Sequence, residues 1–312
     1  MAERLMLLDT ASLYFRAFYG VPDSLKAPDG TPVNAVRGLL DIIARLVAEY
    51  EPTHLVACWD DDWRPHWRVE LIPSYKAHRV AEVVPLGPDV EVTPDPLEAQ
   101  IPMIRQVLGT LGIPIVGATY HEADDVIGSL ATQATIPVDI VTGDRDLFQL
   151  VDDARGVRVI YTARGMSKLE VVTDVTVVGK YGVLPSQYVD FSVLRGDASD
   201  GLPGVVGIGE KTAASLLQQF VDLDALIAAA EDPTAPLSAT IRARMTAAAA
   251  YLEVAPTVVE VVRDLDLGEI DGRIRPLDAK AVAEIERLAT EWNLGGSAQR
   301  ALRALGNEVT TE

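Results

Sequence analysis

Short apolar runs and longer amphipathic stretches alternate along roughly the first 180 residues of the chain. Buried strands are predicted for the short apolar runs RLMLLD, HLVACWD, IPIVGAT, PVDIVTGD and VRVIYT. Helices are predicted for NAVRGLLDIIARLVAEY, LEAQIPMIRQVLGTLG and ADDVIGSLATQA, which lie between those runs. Because strands and helices alternate, we predict an α/β domain over residues 1–181, with a mainly parallel sheet covered on both faces.

The pattern changes at Gly182, after which helical stretches dominate. Helices are predicted for LPSQYVDFSVLRGD and EKTAASLLQQF, which the glycine-rich segment ASDGLPGVVGIG joins, and for AVAEIERLATEWNL further on. We therefore predict a helical subdomain over residues 182–312, with a helix-hairpin-helix at about residues 196–220. The tail GNEVTTE is expected to be disordered.

The segment from residue 61 to residue 95 fits neither pattern, since it is rich in proline and carries mixed charge. It is too long for an ordinary connection, so it is either a surface insertion or a functional lid or arch. We favour the arch, because long loops beside strand ends often carry function. Asp61 and Asp62, at its start, are expected to lie in a solvated turn rather than to bind metal.

The composition limits the classes of function. The chain has 312 residues, 48% of them hydrophobic, and a net charge of −19, which by itself argues against a nucleic-acid partner. The single cysteine, Cys58, excludes an internal disulfide and a zinc cluster built on cysteine. The N-terminus lacks the pattern of a signal peptide, and no apolar run reaches the roughly 18 residues of a membrane span. A cytoplasmic protein with no membrane partner is therefore expected.

Acidic residues stand at the end of each of four successive predicted strands. They are Asp9, Asp60, the cluster Glu122, Asp124 and Asp125, and the pair Asp144 and Asp146. Any one of them alone, Asp9 included, is more often a helix cap or a turn residue. Because ligands bind outside the carboxyl ends of parallel strands, we expect the four groups to converge on one edge of the sheet. So many carboxylates at one edge indicate hard divalent cations, magnesium or manganese, which assist phosphoryl displacement in pairs.

A second acidic pair, Asp197 and Asp200, stands at the start of the glycine-rich segment, and its spacing of three residues predicts one side of a helical turn. Glycines let a backbone approach a ligand closely, and the N–H groups that open the next helix can hold a phosphate. Lys211 and Thr212 stand at the start of that helix. The segment is therefore predicted to grip a nucleic-acid backbone without recognising its sequence.

Together these motifs resemble the bacterial 5′ nuclease family, which comprises the 5′-nuclease domain of DNA polymerase I, phage flap endonucleases and free-standing relatives. The resemblance runs from LLDTASLYFRAF through YHEADDVIGSL and TGDRDLFQLV to LRGDASDGLPGVVGIGEKTAASLL. It implies a PIN-like or resolvase-like α/β core, a helical arch and a C-terminal helix-hairpin-helix subdomain.

The resemblance also implies a metal-site role for nine acids, which bind two or more Mg²⁺ or Mn²⁺ ions. They are Asp9, Asp60, Glu122, Asp124, Asp125, Asp144, Asp146, Asp197 and Asp200. The first five are also expected to be catalytic. Glu122 and Asp124 are expected to serve a first ion, whereas Asp125 is expected to reach a further ion near the glycine-rich hairpin.

The stretch WRVELIPSYKAHR is similar to the arch motif of the family, with Trp67 where the family usually has Phe. By resemblance, Arg68, Tyr75, Lys76 and Arg79 contact DNA, and Lys76 and Arg79 act at the scissile phosphate. Tyr75 has two open interpretations, stacking on a displaced base or packing within the arch. The following VAEVVPLGPDVEV is longer and more acidic than the usual arch and has no evident role in phosphate binding.

The further DNA contacts that the resemblance implies lie in the glycine-rich hairpin, where a potassium ion is also expected. These contacts are Gly204, Gly207, Gly209, Lys211 and Thr212.

The implied function is that of a structure-specific 5′ nuclease, a 5′-3′ exonuclease and flap endonuclease of replication and repair. In-line attack by a metal-activated water would leave a 5′-phosphate and a 3′-hydroxyl. The expected partner is DNA with 5′ flaps, 5′ ends or branches, with RNA-containing 5′ ends as a further substrate, and the protein is expected to be a monomer. Two alternatives stay open, a PIN-like metal-dependent ribonuclease and a non-catalytic protein that binds branched DNA.

Overall fold

The protein is built on a six-stranded sheet with neighbours in the order β5-β2-β1-β6-β7-β8. The structure is a computed structural model that describes residues 3–85 and 87–307. The strands are β1 (Leu5–Asp9), β2 (His54–Cys58), β5 (Ile115–Val116), β6 (Val138–Thr142), β7 (Val157–Tyr161) and β8 (Glu170–Val172), with a separate hairpin of β3 (Val80–Glu82) and β4 (Val90–Glu91). All neighbours in the sheet are parallel except β8, which runs antiparallel to β7. The predicted parallel α/β sheet is confirmed.

Helices cover both faces of the sheet, as the alternating pattern predicted. Those of the first half are α1 (Thr10–Gly20), α2 (Asn34–Tyr50), α3 (His66–Leu71), α4 (Asp95–Glu98), α5 (Ile101–Thr110), α6 (Ala123–Gln133) and α7 (Asp174–Tyr181). Successive residues of β1 point to opposite faces, so Leu7 packs in one core with α6, and Leu8 packs in the other with α1 and α2.

The predicted subdomain 182–312 does not stay together in space. Its helices are α8 (Tyr188–Arg195), α9 (Glu210–Phe220), α10 (Leu223–Glu231), α11 (Ala239–Ala247), α12 (Ala249–Val259), α13 (Ala279–Glu291) and α14 (Gly296–Ala304). The helices α8 to α12 share a core with α6, whereas α13 and α14 return to the other face and pack on α5 and α2. Leu288 and Leu302 are fully buried there, so the C-terminal helices complete the α/β core rather than the helical part.

The segment 61–95 is only partly helical, which corrects the expectation of a helical arch. It consists of the short helix α3, a 3-10 turn over Ala77–Arg79 and the hairpin β3–β4. Asp61 is exposed as predicted. Asp62 is buried, contrary to the prediction of a solvated turn, because its carboxylate accepts a hydrogen bond from the backbone N–H of Arg64 (3.2 Å).

No single helix within residues 3–85 and 87–307 is long and apolar enough to cross a membrane. The α9–α10 pair reaches that length and composition only together, and the two helices are bent by 84°. The prediction of disorder for the tail GNEVTTE concerns mainly residues 308–312, which lie outside the described residues.

Candidate active site

The carboxyl ends of the central strands open into a cavity of about 240 Å³ that is lined with acids. Asp9 is the last residue of β1, Asp60 follows β2, and Asp144 follows β6, and these three strands are neighbours in the sheet. Glu122 caps α6, and Asp124 lies in the first turn of that helix. All five of these predicted residues line the cavity, so the sheet topology brings them together.

Backbone and hydroxyl donors fix two of these carboxylates at the base of the cavity. Asp9 accepts one hydrogen bond from the N–H of Ser12 (3.1 Å) and another from the hydroxyl of Thr142 (2.6 Å). Asp60 accepts from the N–H of Ala123 (2.8 Å). Asp9 is therefore both the cap of α1 and a cavity residue, so the two interpretations of this aspartate are compatible.

The cavity acids repel one another at close range. Burial and the neighbouring charges of Asp60 and Asp144 raise the pKa of Asp9 to about 7, although its hydrogen bonds oppose the shift. Burial raises the pKa of Asp60 to about 6. Burial, together with the charges of Asp144 and Asp9, raises the pKa of Asp124 well above its ordinary value. Grouped oxygen donors with unfavourable negative charge are the surroundings that a hard divalent cation stabilises.

The donor set fits magnesium or manganese, which prefer carboxylate oxygens and water. In the described ranges 3–85 and 87–307, no three acidic, histidine or cysteine side chains are already close enough together to hold a metal ion. The acids instead line the cavity wall, as expected for uncompensated like charges. An unpaired buried oxygen, Oδ1 of Asp146, lies just beyond Asp144, whose side chain accepts from the N–H of Asp146 (2.9 Å).

Glu122 is held by cationic and hydroxyl donors from the arch segment. Its Oε1 accepts from Arg68 (3.1 Å) and from the hydroxyl of Tyr75 (2.7 Å), and its Oε2 pairs with the ammonium of Lys76. Lys76 and Arg79 also line the cavity, which places two cations opposite its acids. These are the two residues predicted to act at a scissile phosphate, and a phosphate in the cavity could reach both of them.

Arg68 does not lie on a DNA-facing surface, contrary to its predicted role. It is 2% exposed, and its guanidinium binds both carboxylate oxygens of Asp125, at 2.7 and 2.8 Å. It also donates to the backbone carbonyls of Val258 (3.1 Å) and Glu260 (3.3 Å). Arg68 thus joins α3, the start of α6 and the end of α12 through buried bonds.

The same contacts correct the prediction for Asp125. This aspartate is fully buried and also accepts from the N–H groups of Glu122 (3.2 Å) and Val262 (2.9 Å). Its side chain is held by these partners and does not line the cavity. Because an arginine and two amides already satisfy its oxygens, Asp125 stabilises the fold rather than presenting a free metal ligand.

Tyr75 packs inside the arch, which is one of its two predicted roles. Its side chain is 4% exposed and joins the core, while its hydroxyl donates to Glu122. It is therefore not available to stack on a displaced base in this structure.

Two further predicted acids lie beyond the cavity and next to cations. Asp200 binds Arg79 at 3.0 Å, and burial raises the pKa of this carboxyl to about 6. Asp197 lies between Arg195 (3.2 Å) and Arg145 (3.5 Å). Burial acts to raise the pKa of Asp197, but Ser199 and the arginines outweigh it, so the pKa is lowered. Asp197 and Asp200 lie in a turn after α8 and not in a helix, which revises their predicted setting.

The glycine-rich hairpin ends at the start of α9, where Lys211 is exposed and Thr212 half-buried. Gly204 has a φ of +65°, and a Cβ there would lie 2.5 Å from the backbone of Gly196, so only glycine fits. Gly207 and Gly209 are exposed beside that helix start. The backbone carbonyl of Gly207 already accepts from Arg244 (2.9 Å), so the structure gives no support of its own to the predicted potassium ion.

Several cavity or supporting residues were not predicted from the sequence, and three of them illustrate the reason. Thr142 positions Asp9, Trp63 lines the cavity wall, and Glu91 reaches the cavity from β4. Thr142 precedes the Gly-Asp of the motif TGDRD, so its position was within reach of motif analysis. Glu91 lies in the acidic stretch after the arch motif, where no spacing signal distinguishes it from the exposed acids nearby.

Comparison with known families gives two adjoining matches. The 5′-3′ exonuclease N-terminal resolvase-like domain matches residues 4–182, and the 5′-3′ exonuclease C-terminal SAM fold matches residues 183–280. A 5′-3′ exonuclease of Streptomyces coelicolor is 61% identical over 96% of this chain and 99% of its own length. A 5′-3′ exonuclease of Mycobacterium tuberculosis is 47% identical over 98% of both chains.

A solved structure with a similar fold is the D15 flap endonuclease of bacteriophage T5, in a pseudo-enzyme-product complex with DNA and metal ions. The TM-score is 0.62 at 16% identity, over 97% of this chain and 99% of the phage protein. The overall fold is thus shared with that protein.

Proposed function

We propose a substrate and a mechanism for this chain from the premise that it belongs to the 5′-3′ exonuclease family. The protein is a 5′-3′ exonuclease, a hydrolase of phosphodiester bonds. Its proposed substrate is DNA with a 5′ end or a 5′ flap, including 5′ ends that carry RNA. The observation that carries the proposal is one cavity of about 240 Å³ that holds five of the predicted metal-site carboxylates, and Glu91 as a sixth, together with Lys76 and Arg79.

The carboxylates would hold two or more divalent cations, Mg²⁺ or Mn²⁺. Asp9, Asp60, Glu122, Asp124 and Asp144 line the cavity, and Asp146 adds an unpaired oxygen beside it. Such ions supply Lewis-acid stabilisation of phosphate charge and lower the pKa of water. Asp197 and Asp200 would join a site of this kind only if their arginine partners turned away.

The chain's own cations act on the phosphate. Lys76 is 8% exposed, so its ammonium acts in surroundings where water screens its charge weakly. Arg79 is half-buried at the rim and also donates to the backbone carbonyl of Ser199 (2.9 Å). Both cations are in place before a substrate arrives, which is the arrangement that stabilises charge developing on phosphate oxygens during in-line displacement. The proposed products are a 5′-phosphate and a 3′-hydroxyl.

The glycine-rich hairpin is proposed to hold the duplex part of the substrate. The exposed Lys211 and the free N–H groups at the start of α9 suit a phosphate of the DNA backbone. Arg79 connects this hairpin to the cavity, because it binds Asp200 and Ser199 at the hairpin's start. Duplex gripped at the hairpin would therefore extend towards the cavity that cleaves its 5′ strand.

The test is incubation of the protein with a labelled 5′-flap duplex and with an RNA strand of the same sequence, in Mg²⁺, in Mn²⁺ and in chelator. We expect metal-dependent cleavage of the flap and none in chelator. Binding without cleavage would indicate a branched-DNA binding protein, and cleavage of RNA alone would indicate a ribonuclease. The proposed monomer and the proposed cytoplasmic location at the nucleoid are testable by light scattering and by imaging of a tagged chain.

A further inference from the structure

The hairpin β3–β4 follows the arch cations directly and folds back over them. Arg79 ends a 3-10 turn, and its carbonyl accepts from the N–H of Val92 (2.8 Å). Val80 pairs with Glu91 in the antiparallel register, and Glu91 and Arg79 line the same cavity. We call residues 80–85 and 87–91, which lie in the sequence VAEVVPLGPDVE, the acidic hairpin.

A buried ion pair anchors the acidic hairpin to the base of the arch. Arg64 and Asp89 are 2.5 Å apart, and each side chain is 7% exposed. Arg64 also donates to the backbone carbonyl of Tyr75 (2.6 Å), and the indole of Trp63 donates to the carbonyl of Asp89 (2.6 Å). The hairpin is therefore held at a defined position although it lies at the surface.

That position brings Glu91 into the catalytic cavity. Glu91 is half-buried and lines the same space as Lys76 and Arg79, although it is not one of the nine predicted metal-site acids. Burial raises the pKa of this carboxyl, and the positive charges of Arg79 and Lys76 oppose the rise. Glu82, the other acid on the strands of this hairpin, is exposed to solvent.

A carboxylate and a phosphodiester are both anions that arginine and lysine bind. A DNA phosphate that enters the cavity meets Glu91 as well as the two cations, so it must overcome that repulsion. The affinity of a 5′ flap is set mainly by its duplex part, which is bound elsewhere, so repulsion at the cavity changes that affinity little. A free single strand has no such additional contact.

We propose that Glu91 is a specificity-determining residue that repels the substrate phosphate where Lys76 and Arg79 would bind it. The enzyme thereby favours 5′ flaps, which a duplex anchors, over single strands without such an anchor. The selectivity comes from repulsion between Glu91 and the phosphate, and no additional attractive contact to the flap is needed. The proposal rests on the proposed nuclease function. It also gives the acidic stretch after the arch motif a role, where sequence analysis found none.

The test compares the parent with Glu91→Gln on a 5′-flap duplex and on a single strand of the flap sequence. Binding is measured in chelator by fluorescence anisotropy, and cleavage is measured in Mg²⁺. We expect the Kd and KM for the single strand to fall by on the order of tenfold, and those for the flap to change by less than about threefold. Glu82→Gln, which makes the same charge change on the exposed side of the hairpin, should leave the preference as it is in the parent.

Equal gains on both substrates, or the same gain from Glu82→Gln, would overturn the proposal and indicate a general charge effect. A loss of kcat of about a hundredfold or more in Glu91→Gln, without a change in single-strand binding, would instead make Glu91 part of the catalytic machinery. If the parent bound both substrates but cleaved neither, the nuclease function would fail while the binding comparison still decided the role of Glu91.

Discussion

Replacing Arg68 with methionine should destabilise the whole protein, although a role at the DNA surface was expected for this arginine. The substitution removes a guanidinium that is 2% exposed and leaves Asp125 buried without its cationic partner. Removal of one partner of a buried ion pair costs about 3–5 kcal/mol. At about 2.1 cal/mol/K per residue, the 312-residue chain has an unfolding entropy of about 0.65 kcal/mol/K, so Tm should fall by about 5–8 °C.

The assay is thermal unfolding in chelator, followed by circular dichroism. Arg287→Met is the matched control, because it removes an arginine whose ion pairs with Glu284 and Glu291 are exposed, and it should leave Tm near that of the parent. The double variant Arg68→Met with Asp125→Asn should recover part of the loss, since the unpaired charge is gone. A Tm for Arg68→Met within about 1 °C of the control would refute a structural role for this network.

Three further predictions concern the cavity and the hairpin. Asp124→Asn should raise the Tm of the metal-free protein, because it removes a buried charge that its neighbours repel. The same substitution should lower cleavage of a 5′ flap at least about a hundredfold, and a lower Tm with normal cleavage would contradict this prediction. The folded pKa values of Asp9 and Asp60, about 7 and 6, lie above the unfolded value near 3.9. The two carboxyl groups contribute their full stabilisation below about pH 4, and this stabilisation is lost as pH rises through 6 to 7. The Tm of the metal-free protein should therefore fall from pH 5 to pH 8, and Mn²⁺ should raise Tm more at pH 8 than at pH 5. Asp9→Asn should flatten this dependence, and an unchanged slope would contradict the assignment. Gly204→Ala should lower Tm and weaken duplex binding, because the added Cβ would lie 2.5 Å from the backbone nitrogen of Gly196. The added Cβ of Gly209→Ala meets no atom within 4 Å, so that variant should keep the parent's Tm. Equal losses of Tm in the two variants would argue against the strained turn.

Sequence periodicity located the main elements of the fold. The helix predicted for NAVRGLLDIIARLVAEY is α2 from its first residue to its last, because its buried face repeats at helical spacing. IPIVGAT forms only the two-residue strand β5, since it pairs at the sheet edge with just Ala57 and Cys58. The return of α13 and α14 to the α/β core depends on long-range packing, which local patterning does not encode.

Site residues could be predicted from the sequence where the end of a strand fixes their position. They could not be predicted where the orientation of a side chain depends on its partner from a distant part of the chain. Asp9, Asp60 and Asp144 meet because β1, β2 and β6 are adjacent and parallel. Asp124 and Asp125 are neighbours in sequence, but successive helix positions point about 100° apart. One therefore lines the cavity and the other binds Arg68, a distinction that required the position of α3.

The central claim is that the carboxylates at the strand ends bind the divalent cations with which this nuclease cleaves DNA. The most direct measurement is the anomalous scattering of a crystal of the protein soaked in Mn²⁺. The account predicts manganese peaks inside the cavity, within coordinating distance of Asp124 and Asp144 and of at least one of Asp9 and Asp60. Manganese bound only outside this cavity, by a protein that cleaves 5′ flaps in the same Mn²⁺ solution, would contradict it.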